Sequence, residues 1–586
     1  MPIGNSGLQS HSKDIRNVEL STQNGEPILR AERYSLIFRK DRPFVFVEVD
    51  GKRFLELFVY SAVNAMNGRD ETYAFGEWVI EQKQDVVNFS IAAKSTSWQS
   101  KVYHFHCYPN RFSYEIEIEG QGSLADIQYF GGYYSGSNRR WGTGFFWSGQ
   151  QFTQVFNPEP NIPETFHFPS SAGMKIDLTG VPIPAKGDWF FTPPPFCFAG
   201  QYAGGWLALG VEAAAGQNSF TEYGYHGNLQ AFHLSLAYEG HTHINGSFRS
   251  PTIGFDFAAD EYAALEAHVQ VVRNAGLTPI PKVDNSPSWW RSPIFCGWGA
   301  ECYLASLENG RAPDYARQEH YIKFIAAIEQ NDLHPGMVVL DDKWQADYGT
   351  NAVDTDKWPD LRGFVDEQHA QGRRVLLWLK AWDPEGLPVE ECITNAAGQP
   401  MSFDPTNPAF ERRLRYSINR MLSEDGYNAD GFKLDFTARI PSGPGLKAHK
   451  EIWGIELMKL YLSILYSEAK KAKPDALIMT HTPHPYLADV VDMIRLNDIN
   501  IGQDVNRAMI HRAKVAKIAC PEAIIDTDNW PITDKKTWAD YMRIQPDLGI
   551  PSLYYATHID FTQEPLTAED YQLIRDVWAQ ARAKNH

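Results

Sequence analysis

The chain has 586 residues, a formal net charge of −18, and 43% hydrophobic against 22% charged residues. This is an ordinary globular composition, long enough for about two to four domains, and it excludes disordered, collagen-like and coiled-coil classes. The acidic balance argues against a nucleic-acid partner, which requires a basic face, and no apolar run reaches the ~18 residues of a membrane-spanning helix.

The opening segment, MPIGNSGLQSHSKDIRNVEL, has no apolar leader, so the expectation is a cytoplasmic protein. The six cysteines (Cys107, Cys197, Cys296, Cys302, Cys392 and Cys520) form no CxxC pair and read as reduced structural thiols. His104-Phe105-His106 and His481-Thr482-Pro483-His484 have metal-like spacings without a clustered third ligand, so no metal is expected.

Up to about residue 275, short runs alternate apolar and polar residues, as in 101–107 (KVYHFHC), 112–119 (FSYEIEIE) and 232–238 (FHLSLAY). Alternation rich in β-branched and aromatic residues predicts half-buried strands. Gly, Asn and Pro clusters at 131–138 and 158–163 read as turns between them. Helical periodicity enters only at 258–274. Residues 1–275 are therefore expected to form an antiparallel β-sandwich. Residues 276–292, rich in Pro and turn formers, are the linker.

From residue 293 to 586, eight short apolar runs alternate with amphipathic segments. The runs are 294–298, 337–342, 375–379, 429–436, 476–481, 492–498, 522–528 and 551–557; helical segments include 314–331, 408–424 and 451–472. Strands covered by helices read as continuous apolar runs, and eight such units fit one (β/α)8 barrel. Barrel chemistry lies at the carboxyl ends of the strands. Here runs two, four, six, seven and eight end in Asp341-Asp342, Asp435, Asp498, Asp526-Thr527-Asp528 and Asp560. One Asp after a strand is commonly a cap or turn residue; five of eight is more than capping explains. Two opposed carboxylates are what glycoside hydrolysis requires. Lys433 and Arg495 beside them can hold sugar hydroxyls and keep a nucleophile ionised. Trp298, Trp344, Trp378 and Trp382 lie near strand ends, where an indole can stack on a sugar face.

These segments carry a resemblance. Leu340-Asp341-Asp342-Lys343-Trp344 is similar to the Asp-Asp-x-Trp element of clan D α-galactosidases (families 27 and 36), and Lys433-Leu434-Asp435 to their Lys-x-Asp. Arg495-Leu496-Asn497-Asp498-Ile499 resembles the Arg-x-x-Asp-Ile around their acid/base. Residues 430–441 (DGFKLDFTARIP) also resemble the nucleophile region of family 31 α-xylosidase-like enzymes, and Lys357-Trp358-Pro359-Asp360 is close to both groups. The resemblance implies a retaining, exo-acting α-glycosidase, α-galactosidase-like first and α-xylosidase, α-glucosidase or transglycosidase as alternatives. It makes Asp435 the nucleophile and Asp498 the acid/base. Asp341, Asp342, Trp344, Trp378, Lys433, Arg495 and His558 would bind sugar, with an α-linked glycoside or oligosaccharide as partner and no cofactor. A carbohydrate-binding protein that lost its chemistry is the reading from another class.

There are departures from the family pattern. Thr437-Ala438 stand where family 31 has a Glu, and one helical segment follows the eighth run, where families 31 and 36 continue into a β-domain. Thr527-Asp528-Asn529 is similar to the Gly-Asp-Asn of the family 31 acid/base, which makes Asp528 the rival of Asp498. Strand counting favours Asp498, because Asp528 follows the seventh run.

Overall fold

The computed structural model describes residues 18–585 apart from 41, 84–85, 136–142, 157, 159–164, 168–174, 180–194, 229, 281–285, 438, 500–501 and 503. The expected leader-free segment, much of the turn cluster at 158–163 and part of the linker lie outside the described residues.

The N-terminal half is antiparallel sheet. Its spine is two 19-residue strands, Arg111–Tyr129 and Ala231–Arg249, paired from Glu117↔Arg249 to Tyr129↔Leu234 with a bulge between Leu124 and Asp126. Ser100–Cys107 alternates half-buried and buried residues without a break, as the sequence predicts. Its inward side chains join a core of aromatic contacts such as Phe38 on Phe89 (3.8 Å) and Phe112 on Phe255 (4.3 Å). Burying each such ring is worth roughly 1.5–3 kcal/mol.

The expected turn at 131–138 is corrected in part: Gly131–Ser135 is a strand paired with Thr143–Gln150. Its glycines serve close packing instead of a turn. A Cβ on Gly132 would lie 2.7 Å from the Tyr60 carbonyl oxygen, and one on Gly131 would lie 2.6 Å from His233 Cβ.

All eight apolar runs of the C-terminal half contain parallel strands. We label them β1 (Ile294–Cys296), β2 (Met337–Leu340), β3 (Arg374–Lys380), β4 (Gly431–Asp435), β5 (Leu477–Thr480), β6 (Met493–Arg495), β7 (Ile524–Asp526) and β8 (Ser552–Leu553). Neighbours pair in chain order, β8 returns to β1 through Ile294↔Ser552, and a bridge between Asp526 and Ile550 joins the last gap. The strands are almost wholly buried because helices cover their outer faces.

Helix Glu261–Asn274, capped by Asp260, packs on the sandwich and reaches the barrel. The Tyr262 hydroxyl meets His511 at 2.8 Å, and Arg273 grips Glu522 through two bonds of 3.0 and 2.9 Å. The bulged middle of strand Ala231–Arg249 also touches the loop after β4. His241 stacks on Trp453 at 3.8 Å and its Nε2 meets the Gly443 carbonyl at 3.0 Å, while Gly443 N–H donates to Glu239 at 2.8 Å.

Candidate active site

The strands leave the barrel by abrupt turns. Within three residues of the ends of β2, β3, β4, β6 and β7, a residue other than glycine takes a left-handed conformation: Lys343 (φ 68°), Trp382 (67°), Phe436 (56°), Asn497 (66°) and Asp528 (53°). Asn and Asp tolerate this region, whereas Phe and Trp are strained there, by about 1–3 kcal/mol each. Local bonds hold the strained pair: Phe436 N–H donates to Asp435 Oδ1 at 2.8 Å, and the Trp382 indole donates to the Thr437 carbonyl at 2.8 Å.

The acidic strand ends meet at Arg495, which is 1% exposed. Its Nη2 donates to Asp435 Oδ1 at 3.0 Å and to Asn497 Oδ1 at 2.5 Å. Its Nη1 donates to Asp498 Oδ1 at 2.9 Å and to Asp528 Oδ2 at 2.5 Å. One guanidinium thus serves three carboxylates, from β4, the β6 turn and the β7 turn. Removing an ion from water costs several kcal/mol unless partners replace the solvent, and here the partners outnumber the cation.

The three acids differ in what remains of them. Asp528 is wholly buried; its Oδ1 accepts from the N–H groups of Asn529 (2.7 Å) and Trp530 (3.1 Å), so both oxygens are engaged. The Asp498 side chain is 30% exposed, and among the described residues only its Oδ1 is hydrogen-bonded. Asp435 Oδ1 takes the Arg495 and Phe436 donors and lies 3.3 Å from His481 Nε2, while Oδ2 meets the Trp378 indole N–H at 3.2 Å.

Protonation follows from these surroundings. Burial alone would raise the Asp435 carboxyl, but the Arg495 charge and the His481 hydrogen bond, with Lys433 behind them, hold it well below the usual carboxylate range. Asp498 is pushed up to about 6 by burial and by the charges of Asp435 and Asp528, against the pull of Arg495.

A second cluster lies at the end of β2. Asp341 Oδ2 accepts from Lys433 Nζ (2.7 Å) and Cys296 Sγ (2.9 Å), Oδ1 accepts from Asp342 N–H, and the Asp341 N–H donates to Tyr321. Asp342 accepts from the Tyr348 hydroxyl at 2.8 Å. Burial pushes Asp342 up to about 6, with the Tyr348 bond opposing.

The structure thus brings together Asp341, Asp342, Lys433, Asp435, Arg495, Asp498 and Asp528. It places the other expected residues differently. Trp344 is fully buried, donates to the Trp378 carbonyl at 2.8 Å and packs near Tyr427, so it lies behind the site wall. Trp378 is also buried; it reaches Asp435 through its N–H and offers no open face. His558 stacks on Tyr303 at 4.2 Å on the rim, apart from both clusters. Trp382 is buried against Phe403, while Trp298 is half-buried beside Trp530. Tyr321, Tyr348 and Cys296 went unnoticed in the sequence. Cys296 lies inside the first apolar run, and the structure ends β1 there.

Among the described residues no group of three His, Cys, Asp or Glu is arranged to hold a metal ion. His106 is engaged by Asn88 (2.8 Å) and Glu115 (3.1 Å) in the sandwich. No described helix is long and apolar enough to cross a membrane.

No protein-family model matches this chain, and no curated protein matches it. Solved structures do. A family 31 glycoside hydrolase from E. rectale, a sulfoquinovosidase in complex with an aza-sugar inhibitor, superposes with a TM-score of 0.56 at 11% identity, over 95% of this chain and 82% of that one. A cycloalternan-degrading enzyme from Trueperella pyogenes gives 0.53 at 11% identity, over 85% and 82%. A family 31 dextranase from Flavobacterium johnsoniae, complexed with glucose, gives 0.52 at 11%, over 98% and 70%. The chain shares its fold, sandwich followed by barrel, with these solved glycoside-processing enzymes, two of them of family 31.

Proposed function

We propose that this chain is a retaining, exo-acting α-glycoside hydrolase that works by double displacement. The observation that carries the reading is one guanidinium shared by two carboxylates in unlike surroundings: Asp435, held well below the usual carboxylate range, and Asp498, part-exposed with one oxygen unbonded among the described residues and pushed up to about 6. Pairs of acids whose surroundings push their pKa values apart divide into nucleophile and acid.

In the first step Asp435 attacks the anomeric carbon. The glycosidic bond breaks, and its oxygen takes the Asp498 proton and departs as an alcohol. In the second step the Asp498 carboxylate takes a proton from water, the water oxygen attacks the anomeric carbon, and the ester bond to Asp435 breaks. The partial exposure of Asp498 and its second oxygen suit a group that must reach the leaving group. Asp528, with both oxygens consumed, suits a structural counterion of Arg495.

Asp341, Asp342 and Lys433 would line the place of the nonreducing sugar, with Arg495, its Nη groups given to Asp435, Asn497, Asp498 and Asp528, behind them. The Asp-Asp pair and Lys433 favour an α-galactoside; the likeness of residues 432–441 to α-xylosidases favours xylose or glucose as the second reading. A panel of 4-nitrophenyl α-glycosides (galactosyl, glucosyl, xylosyl and N-acetylgalactosaminyl) tests this. Turnover with retained configuration in the first-formed sugar is the expected result; absence of turnover on the whole panel rejects it.

A further inference from the structure

His481 stood out in the sequence for a metal-like spacing to His484, and the structure separates the two. His484 Nδ1 accepts from Tyr486 N–H at 3.1 Å, and its ring lies by Phe196. His481, just past β5 and wholly buried, points the other way: Nε2 lies 3.3 Å from Asp435 Oδ1 and 3.2 Å from Thr437 Oγ1. Among the described residues its Nδ1 is buried without a hydrogen-bond partner.

The tautomer follows from chemistry. An unprotonated Nε2 would set a lone pair against a carboxylate oxygen, so the proton belongs on Nε2. A second proton on Nδ1 would place a charge where nothing accepts it, and burial accordingly pushes the imidazole pKa down. The ring is a neutral, one-sided donor.

We infer that His481 is a positioning residue for Asp435, resting on the proposed function: its Nε2–H holds Oδ1, with Arg495 and the Phe436 N–H, so that Oδ2 is the oxygen that attacks. Oδ1 then has the Arg495 and Phe436 donors, with His481 Nε2 at 3.3 Å as the third, and among the described residues Oδ2 has the Trp378 indole, a loose bond of 3.2 Å. Once Oδ2 is esterified, Oδ1 becomes the ester carbonyl, and the same neutral donor still suits it.

The test compares His481→Gln, which retains an N–H donor, with His481→Phe, which fills the space without one. For the phenylalanine variant we expect kcat to fall by about 10²-fold, the scale of a misplaced reacting group, with KM little changed. Glutamine should recover most of the loss, and both variants should melt near the parent temperature. Asp435→Ala in parallel separates the two claims. If it leaves turnover intact, the proposed function fails. If it abolishes turnover while His481→Phe does not, or if glutamine in a folded protein rescues nothing, the role of His481 fails. A readout without turnover is nitrogen NMR of the histidine-labelled parent chain. It should show one neutral Nε2–H ring persisting across about pH 5–9, where an ordinary histidine titrates. Loss of that ring's signature in His481→Phe identifies it. An Nδ1–H tautomer, or titration near the ordinary value, would overturn the inference.

Discussion

Each half of the chain buries a cation, and the two burials are built differently. In the sandwich, Lys101 and Asp70 are fully enclosed and face one another, one charge to one charge. Lys101 also donates to the Ser61 carbonyl at 2.7 Å, and Asp70 accepts from Val63 N–H at 2.9 Å. In the barrel, one cation, Arg495, pairs with Asp435, Asp498 and Asp528, while Lys433 behind it is paired with Asp341. The first arrangement has a partner for each charge. The second is short of positive charge, and this adds to burial in raising the carboxyl of Asp498, the most exposed of the three acids. A balanced burial holds a fold; an unbalanced one prepares a proton donor.

The largest expected effect on that contrast is Asp435→Ala. Turnover should fall by about 10⁴-fold or more on every substrate, and azide should restore it with inverted product, measured by NMR of the released sugar. Asp498→Ala should cost about 10²–10⁴-fold on poor leaving groups, which need a proton, and far less on activated aryl glycosides. A Brønsted plot of rate against leaving-group pKa reads the difference. Lys101→Met should leave Asp70 buried and unpaired and cost about 3–5 kcal/mol of stability by denaturant unfolding. Its kcat per folded molecule should be unchanged, and the double variant Lys101→Met/Asp70→Leu should recover much of the loss.

A finer prediction concerns pH. Asp498 acts as an acid, so activity should fall as pH rises through its value of about 6. The Asp528 charge helps to raise that value. Asp528→Asn removes the charge, lowers the Asp498 pKa and should move the alkaline limb of kcat/KM to lower pH, by up to about one unit, with only a modest change in maximal rate. An Asp528 variant with the leaving-group dependence expected of Asp498 would reverse their roles. Smallest of all, Tyr348→Phe removes one hydrogen bond from Asp342, on the scale of about 1 kcal/mol. It should raise KM a few-fold with kcat little changed.

The barrel was legible because its signal is local: covered strands are uniformly apolar, and each run ends where the chain must become polar. That placed Asp435 and Arg495 on strands and Asp498 and Asp528 on successive turns. What the sequence could not carry was direction. An indole near a strand end reads alike whether it offers a face to a sugar or is packed away, and Trp344 and Trp378 are both buried. The competition between Asp498 and Asp528 is likewise one of unused oxygen atoms, a property of the turns at Asn497 and Asp528 that residue spacing does not express. Gly131 and Gly132 read as turn formers because their composition is that of a turn, while close packing in the fold is what requires them.

The contact between the middle of strand Ala231–Arg249 and the loop after β4 limits how such a chain can be recombined. Glu239 and His241 fasten Gly443, and His241 covers Trp453. A barrel grafted onto a foreign sandwich would lose those anchors a few residues from the nucleophile's own loop. Chimaeras should therefore carry that strand, and the sheet it belongs to, along with the barrel, making the inheritable unit of catalysis larger than the barrel itself.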